Sequence, residues 1–491
     1  MTALARWIPL LLLCAVGLSA ADDLASDLAQ RRARLLSQLG PQTMLIARGA
    51  PHRVYSLDVD YEYRQESNFY YLTGIELPDA ALVLLPGAAN DRREILFVPE
   101  RDPVREHWTG RLPSFEAAGQ ISGIKTVLPI GELDRFLDAV ASGRPYRAYA
   151  DRYKPPTRDY DAFLDKVNAG EARVAVVLAG FPSLNAPPDP TAELGNRIRD
   201  RFPGLATYDA THLVHALRQI KSPYEIDLLR RSGVISSDAH RAGMKAAAPG
   251  AYEYNVTAAI EGVYRDEGAM SWGYPSIVGS GPNATILHYN SGRRRMDAGD
   301  LLLVDAAANY HYYTVDITRT YPVSGKFSEA QKDLYRLALA AQDAARKVAK
   351  PGAYVFDVHQ ETIDVIQKGL LDLGLITKAD GEQYRTWYTH GSVHYIGMDV
   401  HDVGDSRNPL SVGQALVIEP GIYIREDALD TMEKTPENLA FIEAVKPAFE
   451  KYRGIGVRVE DSFVLTEKGL EDLSAKTPRT IEEIESFMAR K

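Results

Sequence analysis

The sequence predicts a mixed α/β protein in two parts, a smaller N-terminal domain and a larger C-terminal domain built from two similar α/β halves. Three observations predict it. The chain has 491 residues, which exceeds one ordinary domain and suits two or three. Residues 24 to about 215 alternate helical periodicity with short apolar runs. The remainder repeats a set of local patterns in the same order, the signature of a duplicated unit.

In the N-terminal part, Leu24 to Leu39 has helical spacing and stops at Gly40-Pro41. Strand-like runs follow at Met44–Ala47, Ala80–Leu85 and Glu94–Val98, separated by Gly, Pro, Asn and Asp. Ser222-Pro223-Tyr224-Glu225 then opens a long helix with a capping-box pattern and proline at the first helical position. The domain boundary is placed just before it, giving domains at 22–215 and 216–491.

Residues 1–21 read as a secretory leader. Arg6 is the lone positive charge, Ile8 to Leu18 is apolar, and Ser19-Ala20-Ala21 supplies small residues for cleavage before Asp22. The alternative is a membrane span, but the apolar run is shorter than the ~20 residues a bilayer needs. The expectation is an exported chain, periplasmic or secreted, with no stable membrane span after cleavage. Cys14 is the single cysteine and lies in the leader, so the mature chain has no disulfide, thiolate nucleophile or cysteine metal site.

Composition narrows the function. Hydrophobic residues at 45% and charged residues at 25% are those of an ordinary globular protein. A net charge of -10 with no useful run of Lys or Arg argues against nucleic acid and for a small or peptide substrate.

The repeat locates the chemistry. Ala248-Pro249-Gly250-Ala251-Tyr252 is echoed by Lys350-Pro351-Gly352-Ala353-Tyr354, each opening an amphipathic helix. Leu287-His288-Tyr289 is echoed by Val393-His394-Tyr395. Gly299 and Asp305, across Leu301–Val304, are echoed by Gly413 and Glu419 across Ala415–Ile418; Val315-Asp316 is echoed by Val459-Glu460. Four carboxylates, Asp305, Asp316, Glu419 and Glu460, therefore follow aliphatic residues at buried strand ends in corresponding places. Buried there they are costly, and converging they repel; a pair of divalent cations resolves both problems, while unrelated ion pairs are the alternative.

A nitrogen ligand is suggested by Thr389-His390-Gly391-Ser392-Val393-His394, followed by His401 in Asp399-Val400-His401-Asp402-Val403-Gly404. Three of the chain's eleven histidines fall within twelve residues, and imidazole both ligates metals and moves protons near neutral pH. Oxygen-rich ligands with one nitrogen favour harder divalent ions such as Mn²⁺ over a closed structural zinc site.

These motifs resemble the M24 metallopeptidases. Asp305 and Asp316, His394 in His-Gly-Ser-Val-His, Glu419 in Ile-Glu-Pro-Gly-Ile-Tyr and Glu460 in Gly-Val-Arg-Val-Glu-Asp are similar to that family's five metal ligands. Asp316-Ile317-Thr318-Arg319-Thr320-Tyr321-Pro322-Val323 and Gly397–Gly404 resemble its aminopeptidase P and prolidase branch. The stretch Asp60–Gly74, DYEYRQESNFYYLTG, resembles the N-terminal domain of bacterial aminopeptidase P. The resemblance implies a pita-bread catalytic domain and removal of an N-terminal residue standing before proline. It implies two divalent metals, Mn²⁺ by the ligand argument, bridged by Asp316 and Glu460 around a hydroxide, with Asp305 on one metal and His394 and Glu419 on the other.

In that frame Glu419 shuttles a proton and His401 helps to stabilise an oxyanion. His288 and His390 resemble the two further active-site histidines. Arg458 orients acidic neighbours, or forms an ordinary cross-strand ion pair, and Arg407 corresponds to an arginine near substrate. The family also implies a dimer or tetramer. A prolidase restricted to Xaa-Pro dipeptides shares the ligands, and a non-catalytic peptide-binding protein on the same fold lacks them. Glu419 and Glu460 lie 41 positions apart, and the added Arg425–Lys451 is expected to hold a helix with Leu439, Ile442, Val445 and Phe449 on one side. That segment either borders the cleft or a subunit contact, or packs on its own domain.

Overall fold

A computed structural model of the chain describes residues 20–490 except 156, 181 and 182. Of the expected leader, residues 1–19 lie outside the described residues. The chain divides into two compact units between Thr211 and His212, against 215 and 216 in the sequence reading. Among the described residues no helix is long and apolar enough to cross a membrane.

The first unit is built on a six-stranded mixed sheet. Its strands are β1 (Thr43–Arg48), β2 (Ala81–Leu84), β3 (Glu94–Val98), β4 (Thr126–Pro129), β5 (Arg173–Val177) and β6 (Ala206–Asp209), in the order β4-β3-β2-β1-β5-β6. Near-continuous apolar runs such as Ala81–Leu84, buried throughout, are what a sheet covered on both faces requires. The motif at 60–74 becomes helix α2 (Ser67–Thr73), every residue of it buried. Glu66 caps it by accepting from the N–H groups of Asn68 and Phe69. Its last carbonyls are satisfied from helix α1 (Ala20–Gln38), where Arg31 donates to Tyr71 O at 3.1 Å and Arg32 to Leu72 O at 2.8 Å.

The second unit carries the duplication into three dimensions. Helices α3 (Pro223–Ala246) and α4 (Glu253–Asp266) precede the antiparallel sheet β7 (Ile277–Ser280), β8 (Leu301–Asp305) and β9 (Thr318–Pro322). Helices α5 (Glu329–Val348) and α6 (Val355–Asp372) precede the antiparallel sheet β10 (Ala415–Ile418), β13 (Asp461–Thr466) and β14 (Gly469–Asp472). Between β10 and β13 lie the paired strands β11 (Gly421–Tyr423) and β12 (Gly456–Arg458), with helix α7 (Pro436–Tyr452) between them in sequence. The expected capping box opens α3: Ser222 Oγ accepts from Glu225 N and Glu225 Oε2 from Ser222 N.

The repeated Pro-Gly-Ala-Tyr turn is the same structure twice. Gly250 and Gly352 have φ of 88° and 91°, which a side chain would strain. Gly250 N donates to Met296 O, and Gly352 N to Leu410 O, both at 2.8 Å. Tyr252 and Tyr354 then stand at the N-caps of α4 and α6, their N–H groups taken by Asn255 and Asp357. The two halves meet where Glu460 N donates to Thr318 O at 3.1 Å, which brings the ends of two carboxylate-bearing strands side by side.

The added helix α7 differs from the expected face. Phe441, Val445, Phe449 and Tyr452 are buried in the catalytic unit's core, whereas Leu439 is 51% exposed and Ile442 only partly covered. Phe449 stacks on the buried Trp387 with ring centroids 6.0 Å apart, and Lys451 pairs with Asp333 on α5. The segment is packed on its own domain.

Candidate metal centre

Asp305 ends β8, Asp316 precedes β9, Glu419 follows β10 and Glu460 stands between β12 and β13. The segment carrying His394 is zipped onto β10: Glu419 N donates to Ser392 O at 2.9 Å and Val417 N to His394 O at 3.0 Å. Strand ends thus aim all five expected ligands at one place. Ligand atoms of Asp316, His394 and Glu460 lie within 4.8 Å of one another. His394 Nε2 is 3.5 Å from Asp316 Oδ2, 3.7 Å from Glu419 Oε1 and 3.8 Å from Glu460 Oε1. Asp305 joins through Tyr274, whose hydroxyl is 2.6 Å from Asp305 Oδ1 and 2.5 Å from Asp316 Oδ1.

The electrostatics are those of a buried cluster of carboxylates that repel one another. Burial, then Asp305, raises Asp316 well above the ordinary carboxylate range, and burial, then Asp316, does the same to Glu460. Burial, then Glu460, pushes Glu419 up to about 8. The Tyr274 hydroxyl has one proton and two carboxylate neighbours, so the second contact needs a proton on a carboxyl, and Asp316 is the group raised to hold it. Glu460 Oε1, fully buried, has no hydrogen-bond partner among the described residues. Protons occupying a buried acidic cluster, together with an unpartnered carboxylate oxygen, are what divalent cations would replace and satisfy, so these residues fit a metal site.

Arg458 sits behind the cluster. It donates through Nη2 to Asp305, through Nε to Thr318 Oγ1 at 2.9 Å and through Nη1 to Tyr423 Oη at 3.1 Å. Thr318 Oγ1 in turn donates to Glu460 Oε2 at 2.6 Å. Of the two expectations for Arg458, the contacts match the one in which it orients acidic site residues.

The histidines differ from one another. With Arg458 donating to Tyr423 Oη, the Tyr423 hydrogen goes to His390 Nε2 at 2.9 Å, and His390 Nδ1–H donates to Gly391 O at 2.7 Å. His390 is therefore fixed as one neutral tautomer, and burial, then Arg458, lowers it to about 4. His401 is exposed and packs edge-on against His394 with centroids 4.4 Å apart. Burial, then the like charges of His394 and His288, lowers its pKa. His288 is exposed on the loop after the turn at Gly281–Thr285. Arg407 is not brought to the ligands: it turns back onto its own Asp405 with two contacts of 2.8 Å.

Sequence reasoning missed Tyr274, Tyr423 and Thr318. No spacing marks them, since each acts on a residue far along the chain; Thr318 and Glu460 are 142 positions apart.

The comparison with known families agrees with this fold: residues 227–467 match the description "Metallopeptidase family M24", and the chain belongs to that family. More particularly, residues 28–149 match "Aminopeptidase P, N-terminal domain". The chain is 34% identical over 479 residues to the Xaa-Pro aminopeptidase of Escherichia coli (strain K12), covering 94% of this chain and 97% of that relative. Among solved structures it is similar to Pseudomonas aeruginosa aminopeptidase PepP, with 34% identity, a TM-score of 0.77 and coverage of 95% and 98%. It is also similar to aminopeptidase P from E. coli with the inhibitor Pro-Leu, with 31% identity, a TM-score of 0.76 and the same coverage. The expected pita-bread architecture with its aminopeptidase P-type N-terminal domain is that of these relatives.

Proposed function

We propose that this chain is a dinuclear-metal aminopeptidase that hydrolyses the bond between an N-terminal residue and a following proline. The observation that carries the reading is the convergence of Asp316, Glu460, Glu419 and His394, with Asp305 linked through Tyr274, in a chain alignable nearly end to end with Xaa-Pro aminopeptidases. Asp305, Asp316, His394, Glu419 and Glu460 would hold two divalent cations, Mn²⁺ being the ion that five such ligands favour. When bound, such ions would supply a water acidified enough to be a nucleophile at neutral pH.

The chain's own groups do the rest. Proline's imide nitrogen has no N–H and leaves only when protonated. Glu419, facing both His390 and His394, would hold a proton and pass it to that nitrogen. His401, kept neutral, donates to the oxygen on which negative charge develops. His390, fixed as a neutral imidazole, does not exchange protons, and the exposed His288 is free to meet substrate. Arg458 holds Asp305 and, through Thr318, Glu460 in place. The leader composition supports export to the periplasm or exterior, and the resemblance supports a dimer or tetramer.

The test is cleavage of Xaa-Pro-Xaa, Xaa-Ala-Xaa and Xaa-Pro substrates with and without Mn²⁺. Replacing proline by alanine should cost about two orders of magnitude in kcat/KM, or about 2.7 kcal/mol. Equal cleavage of the alanine peptide would mean a general aminopeptidase, and cleavage of dipeptides alone would mean a prolidase.

A further inference from the structure

The histidine-bearing segment that carries His390 and His394 is held from two sides. On one side it pairs with β10, Ser392 O accepting from Glu419 N at 2.9 Å. On the other, the N–H of Ser392 donates to His359 Nδ1 on α6 at 3.2 Å, and Ser392 Oγ lies 2.9 Å from the same nitrogen. Because the backbone N–H must donate, Nδ1 is an acceptor, the ring proton is on Nε2, and the serine hydroxyl donates to Nδ1 as well. Ser392 is fully buried, so without His359 its N–H would be a buried donor with nothing to meet. The neighbouring Val358 is buried with Leu416 and Ile418 of β10, so helix and strand are packed together and the serine between them is held against both. Burial, and secondly Arg385, lowers the pKa of His359, which keeps Nδ1 free to accept.

We propose that His359 is a positioning residue of the reaction: by holding the Ser392 peptide it sets the spacing of His390, His394 and Glu419. This rests on the metallopeptidase reading above. Among the described residues the hydrogen bonds of His359 go to Ser392, and it acts on the proposed ligands through that serine.

The test compares His359→Asn and His359→Leu in the full chain. Asparagine offers an amide oxygen where Nδ1 stood, and leucine offers no acceptor. Mn²⁺ binding by calorimetry and kcat and KM on an Xaa-Pro-Xaa peptide are measured, with thermal unfolding alongside. The leucine variant should lose about tenfold or more in Mn²⁺ affinity and in kcat with little change in KM, the scale seen when a residue orienting a ligand is removed, while asparagine restores both to near the parent. Should the leucine variant not fold, His359→Gln, whose amide reaches the Nε2 position instead, takes its place with the same expectation. Variants that bind Mn²⁺ and turn over alike, differing from each other at most in melting temperature, overturn the positioning role while leaving the metallopeptidase reading intact. A parent chain that neither binds Mn²⁺ nor cleaves Xaa-Pro peptides overturns both.

Discussion

Chelation should make the catalytic unit less stable as pH rises from 6.5 to 8. Without cations burial raises Asp316, Glu419 and Glu460, Glu419 to about 8 against an ordinary 4.5. Since the folded value is raised, the folded unit binds this proton more tightly than the unfolded chain. The stability gained is fully present below about pH 4.5 and is lost as pH rises through about 8. Buried histidines act in the opposite sense lower down: His240 and His390 are lowered to about 4 from 6.5, so their contribution is present above pH 6.5 and lost as pH falls through 4. Above pH 6.5 the carboxylates dominate. Integrated from 6.5 to 8, Glu419 alone gives a loss on the order of 2 kcal/mol, and Asp316 and Glu460, both raised, steepen it. The assay is urea unfolding of the EDTA-treated chain at four pH values in that window, beside the Mn²⁺-loaded chain. Glu419→Gln should remove its share of the slope. A metal-free stability that is flat or rises between pH 6.5 and 8 would refute the reasoning.

Three further outcomes follow from the same geometry. Glu419→Gln and His394→Ala should each abolish turnover with the fold retained by circular dichroism; activity within about twofold of the parent for either would remove the ligand assignment. Mn²⁺ binding at pH 7 should release about one proton or more, since a group of pKa about 8 is roughly nine-tenths protonated there; calorimetry in buffers of different ionisation enthalpy reads this, and zero release would contradict the proton-filled cluster. Phe449→Ala on α7 should cost about 3 to 5 kcal/mol, whereas Leu439→Ala should cost less than about 0.5, so equal losses would mean the helix presents another face to the core.

The four clustered carboxylates were legible because duplication printed them twice. Asp305 and Glu419 each close an apolar strand six residues after a glycine, and Asp316 and Glu460 each follow a valine, so one half served as a template for the other. The residues that tune the ligands were not legible. Tyr274 and Tyr423 reach the site from strand and loop positions fixed only by tertiary packing, and nothing in Trp272-Gly273-Tyr274-Pro275 marks a hydroxyl held between two carboxylates. The face of α7 was misread for a related reason. Series through Ile442 and through Phe441 both include Val445 and Phe449, and periodicity alone does not choose between them. Burial of the aromatic pair Phe441 and Tyr452 at either end decided it, bringing Phe449 onto Trp387.

The same repeat shows how one duplicated frame acquires two tasks. Leu287-His288-Tyr289 and Val393-His394-Tyr395 are local equivalents, yet His394 lies among the carboxylates and His288 is exposed. The difference lies in what holds each segment. Residues 392–396 pair with β10, which aligns His394 with the strand end at Glu419. The loop around His288 is instead gathered onto Glu253, a buried carboxylate at the start of α4. It accepts from Ser280 N and Oγ and from Asn283 Nδ2 on one oxygen, and from Tyr289 Oη and Arg294 N on the other. Five donors on one carboxylate fix the base of that loop and leave its histidine facing outward. In the second half the corresponding residue is Val355, which can accept nothing, and α6 holds its own segment through His359 four residues later. Anchoring by a carboxylate leaves one histidine exposed, whereas anchoring by strand pairing and an imidazole turns the other inward among the carboxylates.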